Sequence, residues 1–363
     1  MKVLLVGEAS GVHRNLKKGL LAHGVRAEIG MPTAWPQYPY HDFLFAPNWE
    51  GALGGIARNV APFAKIASMP RFDVINFSNT ITSVGGKFSK YLDLPLMRRK
   101  GRVLSYYAVG CDEIGLVRHN AELPYRPCAT CLASGEQLGR DCEKVFNPIY
   151  AKSRERVRRN FDFGASSMME YSHNADLFPT FSAIRLPIDI EPIAFHPATN
   201  QRRTRIIHTP TRRGFKGTDQ VLRAINQLGL LRDDFEFRVI EGLSYRAYLE
   251  AIRDADIVVD QIYSQSAGMN ALELMAAGKI VLTGATELGR KYYHDESASP
   301  AFNASPDPAV LAKTLSSILD RKPKFSTLAV RGRRFVEQWH DPALIAGQFI
   351  SGWNEARARN SRG

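Results

Sequence analysis

No apolar run in this sequence approaches the roughly 18 to 20 residues that a membrane-spanning helix requires. The first apolar stretch, VLLV at residues 3–6, ends at Gly7 and Glu8, so it lacks the hydrophobic region and cleavage site of a signal peptide. It is typical instead of a first β-strand. We therefore expect a cytoplasmic protein without an export signal, with any membrane contact peripheral and at the inner face of the membrane.

Internal repeats, low-complexity tracts and nucleic-acid-binding signatures are also lacking. Basic residues do not alternate with aromatic residues in a base-stacking pattern, and no helix-turn-helix or RNA-recognition motif is present. Acidic residues are in deficit: 36 Asp and Glu against 48 Lys and Arg give a net charge of +12. This charge predicts affinity for anions, whether acidic lipid headgroups, phosphorylated small molecules or nucleic acid, and the missing motifs argue against nucleic acid as a partner.

The length of 363 residues predicts two domains of roughly 150 residues or more, with a cleft between them. Short runs rich in Val and Ile alternate with amphipathic stretches, which indicates βαβ units and parallel sheets. The predicted strands are KVLLVG (2–7), FDVINF (72–77), GRVLSYYAVG (101–110), GASSMM (164–169), TRIIHTP (204–210), FEFRVI (235–240), ADIVVDQ (255–261) and GKIVLTG (278–284). The Pro-rich segment 185–197 separates two groups of strands, so we expect an N-terminal domain over 1–188, a C-terminal domain over 189–340 and a final helix over 341–363 that packs back on the N-terminal domain.

A cluster of cations follows the first strand of the second group. The stretch IIHTPTRRGFKGTDQVLRAI, residues 206–225, runs from a strand through Arg212, Arg213 and Lys216 into a helix, for which Thr218 is a candidate N-cap. Ligands of parallel sheets bind beyond the carboxyl ends of the strands, where helix N-termini favour negative charge. The cations therefore stand where a phosphate group is expected, although a basic surface turn would have the same composition.

Three segments in this order resemble the nucleotide-sugar domain of family 4 glycosyltransferases: LPIDIEPIAFHP (186–197), TPTRRGFKGTDQVLRAI (209–225) and DQIYSQSAGMNALELMAAGKIVLTG (260–284). The N-terminal KVLLVGEASGVHRNLKKGLLAHG (2–24) is similar to the Gly-rich first strand, loop and helix of that family. The resemblance implies the α/β GT-B fold, in which two Rossmann-like domains face each other across a cleft. It also implies a retaining sugar transfer from a nucleoside-diphosphate sugar.

The resemblance assigns roles to individual residues. Arg213 and Lys216 match the catalytic basic pair that stabilises the departing nucleoside diphosphate, and Glu273 matches the helical carboxylate that binds the ribose hydroxyls. The wider donor-binding set is Gly11, His13, Arg212, Gln265, Gly268, Met269, Asn270 and Glu273. Two positions depart from the family: Gln265 replaces a Glu that touches the donor sugar, and Val109 replaces a His. These departures leave open a catalytically weak protein that binds nucleotide sugars as a partner of another transferase.

All four cysteines fall within residues 111–142, as Cys111, Cys128, Cys131 and Cys142. The spacing C-x16-C-x2-C-x10-C suits a structural zinc ion, because the C-x2-C pair offers two thiolates on one turn and two more thiolates complete a tetrahedron. Free or redox-active cysteines and an iron–sulfur cluster are the alternatives. A zinc-containing nucleic-acid-binding protein remains the least favoured function, and the resemblance implies no metal in catalysis.

The predicted reaction is transfer of a sugar to a hydroxyl acceptor, a free sugar or a lipid-linked one, in synthesis of a surface polysaccharide or glycolipid. The basic N-terminal half would suit a phosphorylated acceptor at an anionic membrane surface, where each Lys or Arg contributes about 1 kcal/mol.

Overall fold

The computed structural model describes residues 1–34, 40–79, 92–112, 114–135, 142, 147–200, 203–243, 245–293 and 299–361. The first seven strands form one sheet in the order β3-β2-β1-β4-β5-β6-β7, and every neighbouring pair is parallel. These strands are β1 Lys2–Val6, β2 Arg26–Met31, β3 Phe43–Leu44, β4 Phe72–Ser78, β5 Gly101–Ala108, β6 Phe163–Ser166 and β7 Phe181–Ala183.

A second parallel sheet of five strands has the order β12-β11-β10-β8-β9. Its strands are β8 Thr204–His208, β9 Phe235–Val239, β10 Ile257–Val259, β11 Ile280–Thr283 and β12 Phe302–Asn303. β10 is fully buried and rich in β-branched residues, as expected for the centre of a parallel sheet that is covered on both faces. The carboxyl ends of β8 and β10 lie side by side because His208 pairs in register with Val259.

The helices cover both sheets. They are α1 Val12–Ala22, α2 Gly51–Ser68, α3 Leu94–Lys100, α4 Cys128–Ala133, α5 Asn147–Asn160, α6 Arg213–Lys216, α7 Thr218–Gly229, α8 Tyr245–Arg253, α9 Met269–Ala276, α10 Glu287–Lys291, α11 Pro308–Leu319, α12 Phe325–Trp339 and α13 Pro342–Asn360, with 3-10 turns at Val117–His119, Met169–Leu177 and Lys322–Lys324. None of the helices in the described ranges is both long and apolar enough to cross a membrane.

The last helix, α13, lies on the N-terminal sheet. Phe349 meets Tyr107 of β5 edge to face, with ring centroids 4.9 Å apart, and the indole of the buried Trp353 donates to Ser105 Oγ at 2.9 Å. Ser105 in turn donates to Asn76 Oδ1 at 2.6 Å. The helix therefore joins both the apolar core and a buried polar chain of the N-terminal domain.

Each of the eight predicted strand segments contains a strand, but GASSMM contributes only its first residues, because β6 ends at Ser166. Four strands were not predicted: β2, β3, β7 and β12. β2 reads RAEIGM and has only a weak apolar run, and the other three are two or three residues long. Very short strands, and a strand such as β2 with a weak apolar run, are specified by their neighbours in the sheet rather than by their own sequence.

Candidate active site

His208, at the end of β8, organises the carboxyl edge of the second sheet. Its Nδ1 donates to the Val259 carbonyl at 2.6 Å, and its Nε2 accepts from the Thr218 hydroxyl at 3.0 Å. Burial lowers the pKa of His208 to about 4, so the ring is neutral at pH 7. The imidazole thus connects β8, β10 and the start of α7 without adding charge to the site.

The turn between β8 and α7 differs from the sequence prediction in two details. Arg213–Lys216 forms one helical turn, α6, rather than an irregular loop. The N-cap of α7 is Gly217 rather than Thr218, whose hydroxyl already bonds to His208. Gly217 has φ +76°, and a Cβ there would lie 2.4 Å from Ile262, so the close packing of α6 on the next loop requires glycine at this position.

Lys216 is held in place by a buried carboxylate. Its Nζ lies 2.7 Å from Asp260 Oδ1, and Asp260 also accepts from Asn270 Nδ2 at 2.7 Å and from Thr283 Oγ1 at 3.2 Å. Burial would raise the pKa of Asp260, but the charge and hydrogen bond of Lys216 outweigh it and lower that pKa below its usual value. Asp260 therefore fixes the position of a predicted catalytic cation, a role that its place after β10 could have indicated.

The two arginines of the cluster remain near the surface. Arg213 Nε is 3.2 Å from Glu241 Oε2, and the Arg213 side chain is 53% exposed. The Arg212 guanidinium stacks on the Phe215 ring, with its central carbon 3.9 Å from the ring centroid. Lys216 is thus already positioned by the interior, whereas the partner of Arg213 in the described residues is the exposed Glu241.

Helix α9 presents an open N-terminus beside this cluster. Its N-cap, Gly268, has no side-chain cap, and a Cβ built on Gly268 would meet nothing within 4 Å. Asn270, in the first turn, donates to Asp260 and accepts from Tyr248, while Met269 packs against the core. The first N–H groups of α9 are therefore available to an anion that approaches the same place as Lys216.

Glu273 lies one turn further along α9 and is mostly buried. Burial raises its pKa to about 7, and the charge of Arg14 on α1 only partly opposes this. No hydrogen bond or ion pair of its carboxylate is found within the described part of the chain. A partly buried carboxyl group with a raised pKa and no partner within the described residues is a candidate for binding donor hydroxyls.

Gly11 lies at the N-terminus of α1, where the carboxylate of Glu8 already accepts from backbone N–H groups. Gly11 is the N-cap of α1, with φ +82°, and the buried carboxylate of Glu8 accepts from the N–H groups of Ala9, His13 and Arg14 at 2.6, 3.3 and 2.8 Å. This capping role of Glu8 was not predicted, although an acidic residue just before a helix is a recognisable signal. The chain itself therefore supplies the anion at this helix N-terminus.

The His13 ring does not reach the cleft surface. It is fully buried, Nδ1 donates to the Gly7 carbonyl at 2.7 Å, and Nε2 accepts from Asn76 Nδ2 at 2.9 Å. Burial lowers the pKa of His13 to about 4, which keeps the ring neutral. Both ring nitrogens are satisfied internally, so His13 serves the core rather than the donor site.

Gln265 lies where the two domains meet. It is fully buried, its Nε2 is 3.4 Å from the Tyr125 carbonyl of the N-terminal domain, and its Oε1 has no partner in the described residues. The backbone around it is held by Glu170, whose Oε1 accepts from the N–H groups of Gln265 at 2.6 Å and Ser266 at 3.3 Å and from the Ser264 hydroxyl. A carboxylate of the N-terminal domain thus fixes the loop that precedes α9.

We expect Glu170→Ala to lower the melting temperature clearly, because three donors buried at the domain interface would lose their acceptor. Each unpaired donor costs about 1–3 kcal/mol. Glu155→Ala is the matched control, because Glu155 forms only exposed ion pairs with Arg158 and Arg159 on α5. Differential scanning calorimetry of both variants checks this expectation, and equal melting temperatures would show that Glu170 does not stabilise the interface.

The four cysteines line one pocket together with Phe215 of the basic turn. None of them forms a disulfide, and Cys128 and Cys131 face it from successive turns of α4 rather than from a loop. Within the described ranges, no three His, Cys, Asp or Glu side chains already stand at the separations of a metal site. Residues 136–141 and 143–146 of the cysteine-rich insertion (111–142) and its flank lie outside those ranges.

No protein-family model matches the sequence, and no curated protein does either. Solved structures do match along nearly the whole chain. Sucrose-phosphate synthase from Thermosynechococcus elongatus superposes with a TM-score of 0.65 at 13% identity and covers 99% of this chain and 100% of its own. HepE from Anabaena, in complex with UDP and glucose, has a TM-score of 0.64 at 14% identity and covers 98% and 100%.

A third match is an alpha-glucosyltransferase in complex with UDP-glucose and DNA containing an abasic site, with a TM-score of 0.59 at 11% identity, covering 97% of this chain and 98% of the other. The chain has the GT-B fold. This confirms the fold class predicted from the sequence, two Rossmann-like domains, over essentially the full length. At this level of identity the fold is what the likeness shows, and the activity has to be argued from the residues.

Proposed function

We propose that this GT-B chain is a retaining glycosyltransferase that moves a sugar from a nucleoside-diphosphate donor to a hydroxyl acceptor. The proposal depends on one observation: Lys216 Nζ and Asn270 Nδ2 both lie 2.7 Å from Asp260 Oδ1. This contact brings the basic turn next to the open N-terminus of α9, on the helix that also bears Glu273. Among the described residues, a cation, the N–H groups of the first turn of α9 and the Glu273 carboxylate thus come from neighbouring elements, an arrangement that suits a diphosphate followed by a ribose.

The matched structures support a nucleoside-diphosphate donor. HepE is described in complex with UDP and glucose, and the alpha-glucosyltransferase with UDP-glucose. A uridine nucleotide is therefore the first donor to test for this chain.

In the proposed mechanism the bond between the anomeric carbon and the diphosphate oxygen breaks, and the acceptor oxygen bonds to the anomeric carbon on the same face. The acceptor proton passes to the departing phosphate oxygen, so no protein base is needed. One N–H of the Lys216 ammonium group donates to Asp260, which leaves two N–H groups to donate to the phosphate oxygens. Arg213 is half exposed and free to rotate from Glu241 toward the developing negative charge.

The acceptor class is proposed from charge. The net charge of +12 suits a phosphorylated or lipid-linked acceptor in synthesis of a surface polysaccharide or glycolipid. DNA is the second candidate acceptor, because one matched structure contains DNA beside its UDP-glucose. A nucleotide-sugar-binding protein without turnover is the alternative to both.

A thermal-shift screen with UDP-, GDP-, TDP- and ADP-sugars tests the donor, since a bound ligand raises the melting temperature by mass action. We expect one base to stand out. Release of the nucleoside diphosphate from that sugar, with and without a phosphorylated lipid acceptor or DNA, then separates an enzyme from a binding protein. Stabilisation without any release would favour the binding protein, and no stabilisation by any nucleotide sugar would refute the proposal.

Glu273→Gln should weaken UDP-glucose binding by about 1.5 to 3 kcal/mol, because a charged acceptor for two ribose hydroxyls becomes neutral. The pKa of about 7 makes this affinity pH-dependent. As pH rises from 6 to 8 the carboxyl ionises, and wild-type affinity should rise by up to about tenfold, whereas the Gln variant should show no such rise. UDP-glucose is the suitable titrant for calorimetry because its diphosphate does not ionise in this range.

The same substitution should stabilise the ligand-free protein at pH 8. A carboxyl whose pKa is raised by folding contributes stability that is fully present below pH 4.5 and is lost as pH rises through about 7. Glu273 in the wild type is therefore a charge in a mostly buried position at pH 8, and Gln removes that charge. A pH-independent affinity in the wild type would show that Glu273 does not contact the donor.

A further inference from the structure

All four cysteines of the chain border a single pocket whose remaining lining is mainly apolar. Cys111 follows β5, Cys128 and Cys131 belong to α4, and Cys142 lies eleven residues further along the chain. Leu116, Val117, Pro127, Leu132 and Phe215 supply most of the rest of the wall. Four cysteines meeting in one place from three separate segments is not what packing alone would require, since a small apolar side chain would fill the same space.

The pocket also touches the proposed donor site. Phe215 of α6 forms part of its wall, and the Arg212 guanidinium stacks on the same ring. Helix α4 packs directly on α6: a Cβ on Gly214 would lie 2.5 Å from both the Thr130 carbonyl oxygen and Ser134 Oγ. The helix that carries Cys128 and Cys131 is thus the surface on which the basic turn rests.

We propose that Cys111, Cys128, Cys131 and Cys142 bind one zinc ion, and that this ion holds α4 against the Arg213–Lys216 turn in its donor-binding position. The four thiols release their protons to solvent as the zinc binds, and no redox step is involved. The thiols border one pocket but do not yet stand at the separations of a metal site within the described residues, so the ion would have to draw them together as it binds. A site with four thiolates has no open position for water or substrate, so the ion is structural. The second half of this proposal, the effect on the donor, rests on the proposed function.

Elemental analysis of the purified full-length chain tests the site itself. We expect about one zinc per chain, with Zn–S distances near ~2.3 Å by X-ray absorption, and thiolate-to-metal charge-transfer bands after exchange for Co²⁺. Cys128→Ser and Cys142→Ser should lose the ion, whereas Thr130→Ala, on the same helix and without a thiol, should keep it. Metal content is measured only on protein that elutes as a folded species, so that loss of zinc is distinguished from loss of fold.

Two outcomes would overturn the site: four thiols that take up neither Zn²⁺ nor Co²⁺ in the folded protein, or disulfides among the four cysteines. Zinc removal by a chelator should in addition lower the melting temperature and weaken UDP binding by about tenfold, within the range of coupled sites. Unchanged UDP affinity in folded, zinc-free protein would overturn the coupling while leaving the metal site. If zinc-loaded protein binds no nucleotide at all, the proposed function fails and the zinc site stands, so the two failures are distinguishable.

Discussion

Arg213→Ala should slow sugar transfer about a hundredfold to a thousandfold and leave the melting temperature almost unchanged. Loss of one donor to a developing negative charge typically costs about 2.7 to 4 kcal/mol of barrier. The side chain is 53% exposed and its partner Glu241 is 41% exposed, so the ion pair itself is worth about 0–1 kcal/mol of stability. The variant therefore separates catalysis from folding. Steady-state kinetics at saturating donor gives the rate.

Glu241→Ala is the control for Arg213→Ala because it breaks the same ion pair and keeps the cation. We expect it to retain most of the wild-type rate. If Glu241→Ala were as slow as Arg213→Ala, sugar transfer would depend on the ion pair itself and not on the interaction of the Arg213 cation with the phosphate. Near-wild-type turnover in Arg213→Ala would remove this residue from the mechanism.

Lys216→Ala should have two effects, because Lys216 is only 13% exposed and is the cationic partner of a buried carboxylate. Turnover should fall in the same range as for Arg213→Ala. The fold should also lose stability, since breaking a buried ion pair from one side typically costs about 3–5 kcal/mol. Rate and thermal unfolding have to be measured together, because a low rate alone would not separate the two effects.

The double variant Lys216→Met with Asp260→Asn separates the loss of turnover from the loss of stability. Without a charge on either side, no uncompensated carboxylate is buried, and the amide oxygen introduced at position 260 can still accept from Asn270. We expect the melting temperature to recover most of the loss and the rate to stay low. Recovery of the rate together with the stability would show that Lys216 serves the fold and not the leaving group.

Eight of the twelve described strands could be predicted from local sequence because parallel strands in the interior consist of nearly continuous apolar runs. The basic turn could be predicted as well, since it follows β8 at the edge of the sheet where ligands bind. Asn270 and Glu273 lie on the helix α9, and Lys216 lies in the helical turn α6 rather than in a loop. In these cases one short stretch of sequence contains both the secondary-structure pattern and the polar residues that indicate a ligand.

The remaining features depend on residues far apart in the chain. Glu170 meets Ser264 from 94 positions away, and nothing in SSMMEYSHN indicates a partner in the other domain. His13 resembles a ligand in sequence, yet its two ring nitrogens are occupied by Gly7 and by Asn76, 63 residues distant. A lone polar residue near a Gly-rich loop can bind a ligand or satisfy the core, and only the tertiary arrangement distinguishes the two.

Calorimetric titration of the folded protein with UDP and with the other nucleoside diphosphates at pH 8, repeated on Glu273→Gln and Arg213→Ala, tests the central claim most directly. The proposed site predicts saturable binding of one nucleoside diphosphate by the wild type, with weaker binding in both variants. Absence of binding for every nucleoside diphosphate, or binding that neither substitution changes, would contradict the assignment of this cleft to a nucleotide-sugar donor.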